Sequence, residues 1–337
     1  MSSEQNANNK QVKRIKFVGY WDNFDYRNQL FYNILSKHFE VRIVDDPDYI
    51  ICNIFGNPYE YCKYPQVRIM NVSENYIPDF NLIDYAICSY PIQYDDRAFY
   101  KPAFVDTSAS FGKIETSPKL HNKAFLEKKE YFANFIAGHE SEYGIRGDFF
   151  KKLSSYRRIE SVGTYLNNTG KTVSFKDSSK IEFQRKCKFT LCFESTSHNG
   201  FVTEKLVDAF FAETVPVYYG SPSVNEIFNC NAFINCSDFD SFDDVIKRVI
   251  EIDQNDDLYL DMINQPVFVD ENYKSNILNQ LEKYILYIFN QPIETAFRRS
   301  RVYHSKNYND YLSKAVLPEQ LSKRELIRLF KKKLIHR

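Results

Sequence analysis

Glycine is scarce in this sequence, with 10 among 337 residues. So few leave little room for a Gly-rich phosphate loop, and a bound nucleotide must be held by other means. No run of eighteen or more apolar residues occurs, so no membrane-spanning helix is expected. The N-terminal stretch Met1 to Lys13 is polar, rich in Asn and Ser, and has no apolar core, so no signal peptide is read. The seven cysteines (Cys52, Cys62, Cys88, Cys187, Cys192, Cys230 and Cys236) are odd in number and form no C-x-x-C. A disulfide framework or zinc site is therefore not expected, and reduced thiols in a cytoplasm fit better. The six histidines are scattered and form no H-E-x-x-H, which gives no metal site. Net charge is zero, with 44 basic against 44 acidic residues, which argues against a globally basic nucleic-acid binder.

What is abundant is aromatic: 29 Phe and 25 Tyr. Most of these are expected to fill cores, with a few left at clefts, where their faces can stack on sugars. The length suggests about two domains. The neutral total hides an asymmetry. From Arg298 to Arg337 twelve basic residues face three acids, a net of +9 that the rest of the chain offsets. Residues 318–335 read as an amphipathic helix, with Leu321, Leu326, Leu329, Phe330 and Leu334 between cations. Such a segment suits an anionic membrane surface. The alternatives are a solvated terminal helix or a disordered basic end. Without aromatic-basic interleaving, nucleic acid is not expected as a partner.

Short apolar runs alternate with helical stretches. Strands are expected at 15–20, 41–44, 49–54, 67–72 and 84–89, with a helix over 25–39 that Asp25 would cap. This is the signature of an α/β domain with a mostly parallel sheet, placed at 13–125. A second such domain, at 130–292, has strands expected at 131–138, 189–194 and 215–220. Its helices are expected at 146–155, 202–212, 239–252 and 272–289, and the basic tail takes 293–337. Two doubly wound domains place a ligand cleft between them, outside the carboxyl ends of the strands.

The strongest local signal runs from Lys188 to Pro222: strand, polar loop, helix, strand, turn. Gly200 and Thr203 stand where the helix starts, and a helix N-terminus holds phosphate through its free N–H groups. Lys205 adds a cation and Glu204 an acceptor suited to ribose hydroxyls. The two point about 100° apart, so each can serve a different part of one ligand. The alternative is a solvated Glu-Lys pair on an amphipathic helix.

This segment resembles the α-1,3/1,4-fucosyltransferase family of glycosyltransferases. The matching residues are Phe189–Glu194, Val202-Thr-Glu-Lys205 and Val215–Pro222, followed by Asn231–Phe239. Upstream, Phe55-Gly-Asn-Pro58, Glu74–Ile87, Tyr131–Ala137, Arg146 and Asn167–Gly170 are similar to the bacterial members. The resemblance implies a GT-B architecture, two Rossmann-like domains facing a cleft. It implies transfer of fucose from GDP-fucose to the N-acetylglucosamine of a lactosamine-type glycan, with inversion and without a required metal. Glu74 matches the family's catalytic Glu and follows the strand at 67–72, so it is expected to be the general base. Lys205, Glu204, Arg146, Asn134, Asn167, Glu194, Phe201 and Thr203 are expected around the donor, and Trp21 and Tyr76 around the acceptor. The implied setting is a bacterial cytoplasm, peripheral on the inner face of the membrane.

There are departures. Ser195 stands where many members have Asn, Phe201 where many have Tyr, and Leu166 where some bacterial members have Arg. A missing phosphate cation would then come from Lys171 or Arg146. Two other readings compete: an inverting GT-B transferase with a different nucleotide sugar, and a non-catalytic glycan- or nucleotide-binding protein of the same fold.

Overall fold

The computed structural model describes residues 10–115, 117, 120–174 and 178–315. The expected amphipathic stretch 318–335 lies outside them. In the first half, β1 (Val12–Val18) leads through a short 3-10 turn (Tyr26–Asn28) to α1 (Leu30–His38). β2 (Glu40–Ile43), β3 (Tyr49–Cys52), β4 (Val67–Val72), β5 (Tyr85–Cys88), β6 (Ala98–Tyr100) and the short α2 (Phe104–Thr107) follow. The strands form one parallel sheet in the order β2-β1-β3-β4-β5-β6. β3, β4 and β5 are buried at every position. β3 and β5 read as continuous apolar runs because helices or loops cover both faces of a parallel sheet, while β4 also buries Arg68 and Asn71.

The second half contains α3 (Lys123–Leu126), β7 (Tyr131–Phe135), α4 (Ile145–Ser154), β8 (Ile159–Ser161) and α5 (Ser179–Arg185). Then come β9 (Cys187–Phe193), α6 (Glu204–Phe211), β10 (Val215–Tyr219), β11 (Ile234–Asn235), α7 (Phe242–Asp253) and α8 (Asp256–Ile263). Its parallel sheet has the order β11-β10-β9-β7-β8. The chain ends in α9 (Tyr273–Asn290) and α10 (Tyr303–Ala315). The two parallel α/β units expected for a GT-B chain are therefore present. No helix among the described residues is long and apolar enough to cross a membrane.

Local chemistry explains most boundaries. Asp25 does cap, but it accepts from Arg27 N at 3.0 Å and so closes the 3-10 turn, while α1 starts at Leu30. Ser241 caps α7 by accepting from Asp244 N, and Asn255 caps α8 through Asp257 N and Leu258 N.

Two features tie the halves together. α9 falls in the stretch that the sequence groups with the second domain, yet it buries Leu281, Ile285, Ile288 and Phe289 against Ile15, Phe31, Leu35 and Tyr49 of the first. α10 follows it there and buries Leu312 beside Tyr61, Cys62 and Met70. In the opposite direction, Phe104, Val105, Phe111 and Ile114 pack with Val202, Leu206, Phe210 and Phe228 of the second half. The chain crosses twice, so the cleft is framed by an apolar seam rather than by one linker.

Both sheets reverse strand order once, between β1 and β3 and between β7 and β9. A ligand crevice is expected outside the carboxyl ends of the strands at each reversal. Gly19, Tyr20 and Trp21 follow β1, Ile54 and Phe55 follow β3, and Glu194 follows β9.

Candidate active site

The donor-side geometry starts from Glu194, which follows β9 and is fully buried. A buried carboxylate requires partners, and the start of α6 supplies them. Glu194 accepts from Thr203 N at 2.8 Å, from Thr203 Oγ1 at 2.8 and 2.9 Å, and from Lys205 Nζ at 2.9 Å. Lys205 Nζ also reaches Thr203 Oγ1 at 2.7 Å and lies 3.5 Å from Glu204 Oε1. Burial opposes the Lys205 charge, but Glu194 and Glu204 outweigh it and raise its pKa. Burial would likewise raise Glu204, yet Lys205 and Lys180 hold it below the ordinary carboxylate value. Both side chains are about a quarter exposed, so this ion cluster still opens to the cleft.

Thr203 is the N-cap of α6, but its hydroxyl is turned to Glu194 and makes no capping bond to the helix. α6 thus starts without a side-chain cap from Thr203, which suits an anion. The loop before it is fixed at Gly200, whose φ is +78°. Its N–H donates to Ser221 Oγ at 2.9 Å, and its carbonyl accepts from Tyr100 Oη at 2.8 Å. A Cβ there would come within 2.8 Å of Pro91 Cδ and 2.9 Å of Tyr100 Cε2. Both the backbone angle and the close approach of the first domain therefore require glycine. Phe201 is buried at 3 % exposure, in the wall behind the loop.

Glu74 lies two residues past β4 and is exposed. The walls around it push its pKa up, the charge of Glu204 adds to the rise, and Lys205 opposes it. Glu74 thus lies within electrostatic reach of the α6 ion cluster, from the other domain. The next residue ties the loops directly: Asn75 Nδ2 donates to Thr196 Oγ1 at 3.2 Å.

Several expected donor contacts lie elsewhere. Asn134 is fully buried inside the second sheet and donates to Phe189 O at 3.1 Å and Thr190 Oγ1 at 2.8 Å. It faces neighbouring strands, not the cleft. Arg146 is 3 % exposed and donates to Phe193 O at 2.7 and 3.0 Å and to His139 O at 2.9 Å. Burial lowers its pKa, and its visible task is to hold the end of β9 from below, next to Glu194. Asn167 Oδ1 accepts from Thr169 N and Gly170 N, and its amide donates to Gly163 O and Lys171 O, so it shapes its own loop. Leu166 in that loop has a φ of +53°. Lys171 is exposed.

On the acceptor side Trp21 is 47 % exposed and packs edge-on against Phe55, itself 49 % exposed, with ring centroids 5.5 Å apart. Phe24 supports Trp21 from behind at 5.1 Å. The sequence marks Phe55 only through its place in the Phe55–Pro58 match, which carries no site signal of its own. Tyr76 sits apart from this pair, packed against the cluster that contains Tyr61. Among the described residues no group of three or more His, Cys, Asp or Glu is placed to hold a metal ion.

Residues 126–265 match the model of glycosyltransferase family 10 (fucosyltransferase), C-terminal part, and residues 15–106 that of the alpha-(1,3)-fucosyltransferase FucT N-terminal domain. Alpha-(1,3)-fucosyltransferase FucT of Helicobacter pylori is 30% identical over 323 residues, which cover 84% of this chain and 65% of that protein. The 4-galactosyl-N-acetylglucosaminide 3-alpha-L-fucosyltransferase 9 of Homo sapiens is 32% identical over 156 residues, 46% of this chain and 41% of that one. The chain therefore spans less than two thirds of either relative. A solved α1,3-fucosyltransferase structure superposes with a TM-score of 0.72 at 26% identity, covering 89% of this chain and 95% of the other. A second, with GDP-fucose, gives 0.65 at 27% identity, covering 84% and 94%. With both halves matched, each by its own model, and the whole two-domain fold superposing, this chain belongs to the fucosyltransferase family of glycosyltransferases.

Proposed function

We propose that this chain transfers fucose from GDP-fucose to an N-acetylglucosamine hydroxyl of a lactosamine-type glycan, in α-1,3 linkage and with inversion. The observation that carries the reading is the placement of Glu74, just past β4, within electrostatic reach of the Glu204–Lys205 pair, with the adjacent Asn75 bonded across the cleft to Thr196. Inversion by single displacement needs a base on one side of the anomeric carbon and a stabilised leaving group on the other. Glu74 supplies the base, taking the proton of the attacking hydroxyl. Lys205 and the first N–H groups of α6 meet the charge that grows on the leaving GDP. Glu204 bonds the ribose hydroxyls. Glu194 and Arg146 act behind them, holding Lys205 and the end of β9 in place.

The acceptor rests on the first domain. Trp21 and Phe55 follow adjacent strands, and β4, which leads to Glu74, is the next strand over. Strands are about 4.8 Å apart, so the pair lies within one sugar or two of the base. Support for this reading comes from exposed aromatic rings at the strand-order reversal, where a crevice forms.

The deciding experiment is a transfer assay with purified protein, GDP-fucose and either lactosamine or its type-1 isomer, with and without EDTA. Fucosylated lactosamine at the 3-position in EDTA is the expected product. Saturable GDP binding with no transfer to either acceptor would sink the proposal. The charge of the tail supports a further reading, in which the amphipathic segment 318–335 brings the enzyme to the inner face of an anionic membrane.

A further inference from the structure

We propose that Lys101 and Asp106 are positioning residues that hold the turn bearing Glu74 in register with the start of α6. The inference rests on the reading of Glu74 as base. Lys101 directly follows β6 and is only 1 % exposed. Its ammonium donates to Asn71 Oδ1 at 3.1 Å and to Asp106 Oδ2. The same Asp106 oxygen accepts from Ser73 Oγ at 2.9 Å. Asn71 is the penultimate residue of β4, and Ser73 directly precedes Glu74. The Lys101–Asp106 pair therefore grips the chain on both sides of the end of β4.

The other end of this network is fastened to the second domain. Asp106 belongs to α2, where Phe104 N donates to Val202 O at 3.1 Å. Just after α2, Ser108 Oγ donates to Asp208 Oδ1 of α6 at 2.7 Å. Asp208 in turn accepts from Lys180 Nζ at 2.7 Å. Phe104 and Val105 are buried against Val202 and Leu206. A continuous path thus joins Glu74 to Glu204 and Lys205: Ser73, Asp106, α2, α6.

Burying an ammonium is costly, and an apolar pair of similar volume is often as stable. Burial pushes the Lys101 ammonium down, to about 7, against a smaller opposing pull from Cys88. What an ion pair adds here is direction. Reacting atoms tolerate little displacement, and about 1 Å of misplacement can cost on the order of 10²-fold in rate.

The test compares Lys101→Met, Asp106→Asn and Ser73→Ala, alone and combined with Glu74→Gln, for kcat, acceptor KM and GDP affinity by calorimetry. Each single variant is expected to lower kcat, by about 10–100-fold for Lys101 and Asp106. GDP affinity should stay within about twofold, and in the Glu74→Gln background the further loss should vanish, because a missing base cannot be misplaced. Ser73→Ala removes only a partly exposed hydroxyl and keeps the test decisive if Lys101→Met fails to fold. Unchanged kcat in Ser73→Ala and Asp106→Asn would overturn the inference. So would equal losses with and without Glu74. A Glu74→Gln enzyme at full rate would instead sink the reading of Glu74 as base.

Discussion

The Glu194 carboxylate holds the Lys205 ammonium at 2.9 Å from a position with no solvent exposure of its own. In the proposed function, the ammonium offered to the donor phosphate is thus aimed by a fully buried carboxylate. Removing one partner of a buried pair typically costs about 3–5 kcal/mol. Glu194→Gln should lower stability by about that much in urea unfolding and weaken GDP binding measured by calorimetry. Glu204→Gln, at the cleft surface, should weaken GDP binding with little change in stability.

Glu74→Gln should lower kcat by about 10²–10⁴-fold while GDP affinity survives. Intact transfer by this variant would remove the proposed mechanism.

The pH profile should carry the same signature. A base works only when deprotonated, and desolvation and Glu204 raise the Glu74 pKa above that of an ordinary glutamate. Activity should therefore fall on the acid side at a pH above that of a free glutamate. The limb should disappear with the carboxylate in Glu74→Gln, read as log kcat/KM against pH.

Gly200→Ala meets two obstacles at once. Its left-handed φ costs an L-residue about 1–2 kcal/mol, and a Cβ 2.8 Å from Pro91 adds an overpacking cost of about 1–3 kcal/mol. Lower stability and weaker donor binding are expected together, since this loop leads into α6.

Trp21→Ala and Phe55→Ala should raise acceptor KM at unchanged GDP affinity. Aromatic contacts worth about 0.5–1.5 kcal/mol correspond to roughly 2–12-fold. An acceptor KM that stays put in both variants would place the acceptor elsewhere.

Much of the fold could be read along the chain because its signals are local. The strands at 67–72, 189–193 and 215–219 are buried runs flanked by polar turns. The helix start at Gly200–Lys205 stood out by residue type alone. Short edge elements such as β8 and β11, with three and two residues, carry too little pattern to register.

The sequence by itself determined two parallel α/β units, the pairing of Glu204 with Lys205 on one helical turn, and Glu74 just past a strand end. All of these depend on neighbours within a few residues. Only the tertiary structure decided which polar groups face the cleft. Asn134 and Arg146 look like ligand-binding residues until strands and loops far along the chain claim their hydrogen bonds. Lys101 and Asp106 look like surface charges until burial beside Asn71 and Ser73 gives them a task. A hydrophobic pattern records whether a position is buried, but the partner of a buried charge comes from wherever the fold brings the chain back. The scarcity of glycine gains its meaning there too, since one glycine at position 200, wedged against the other domain, shapes the loop that leads into α6.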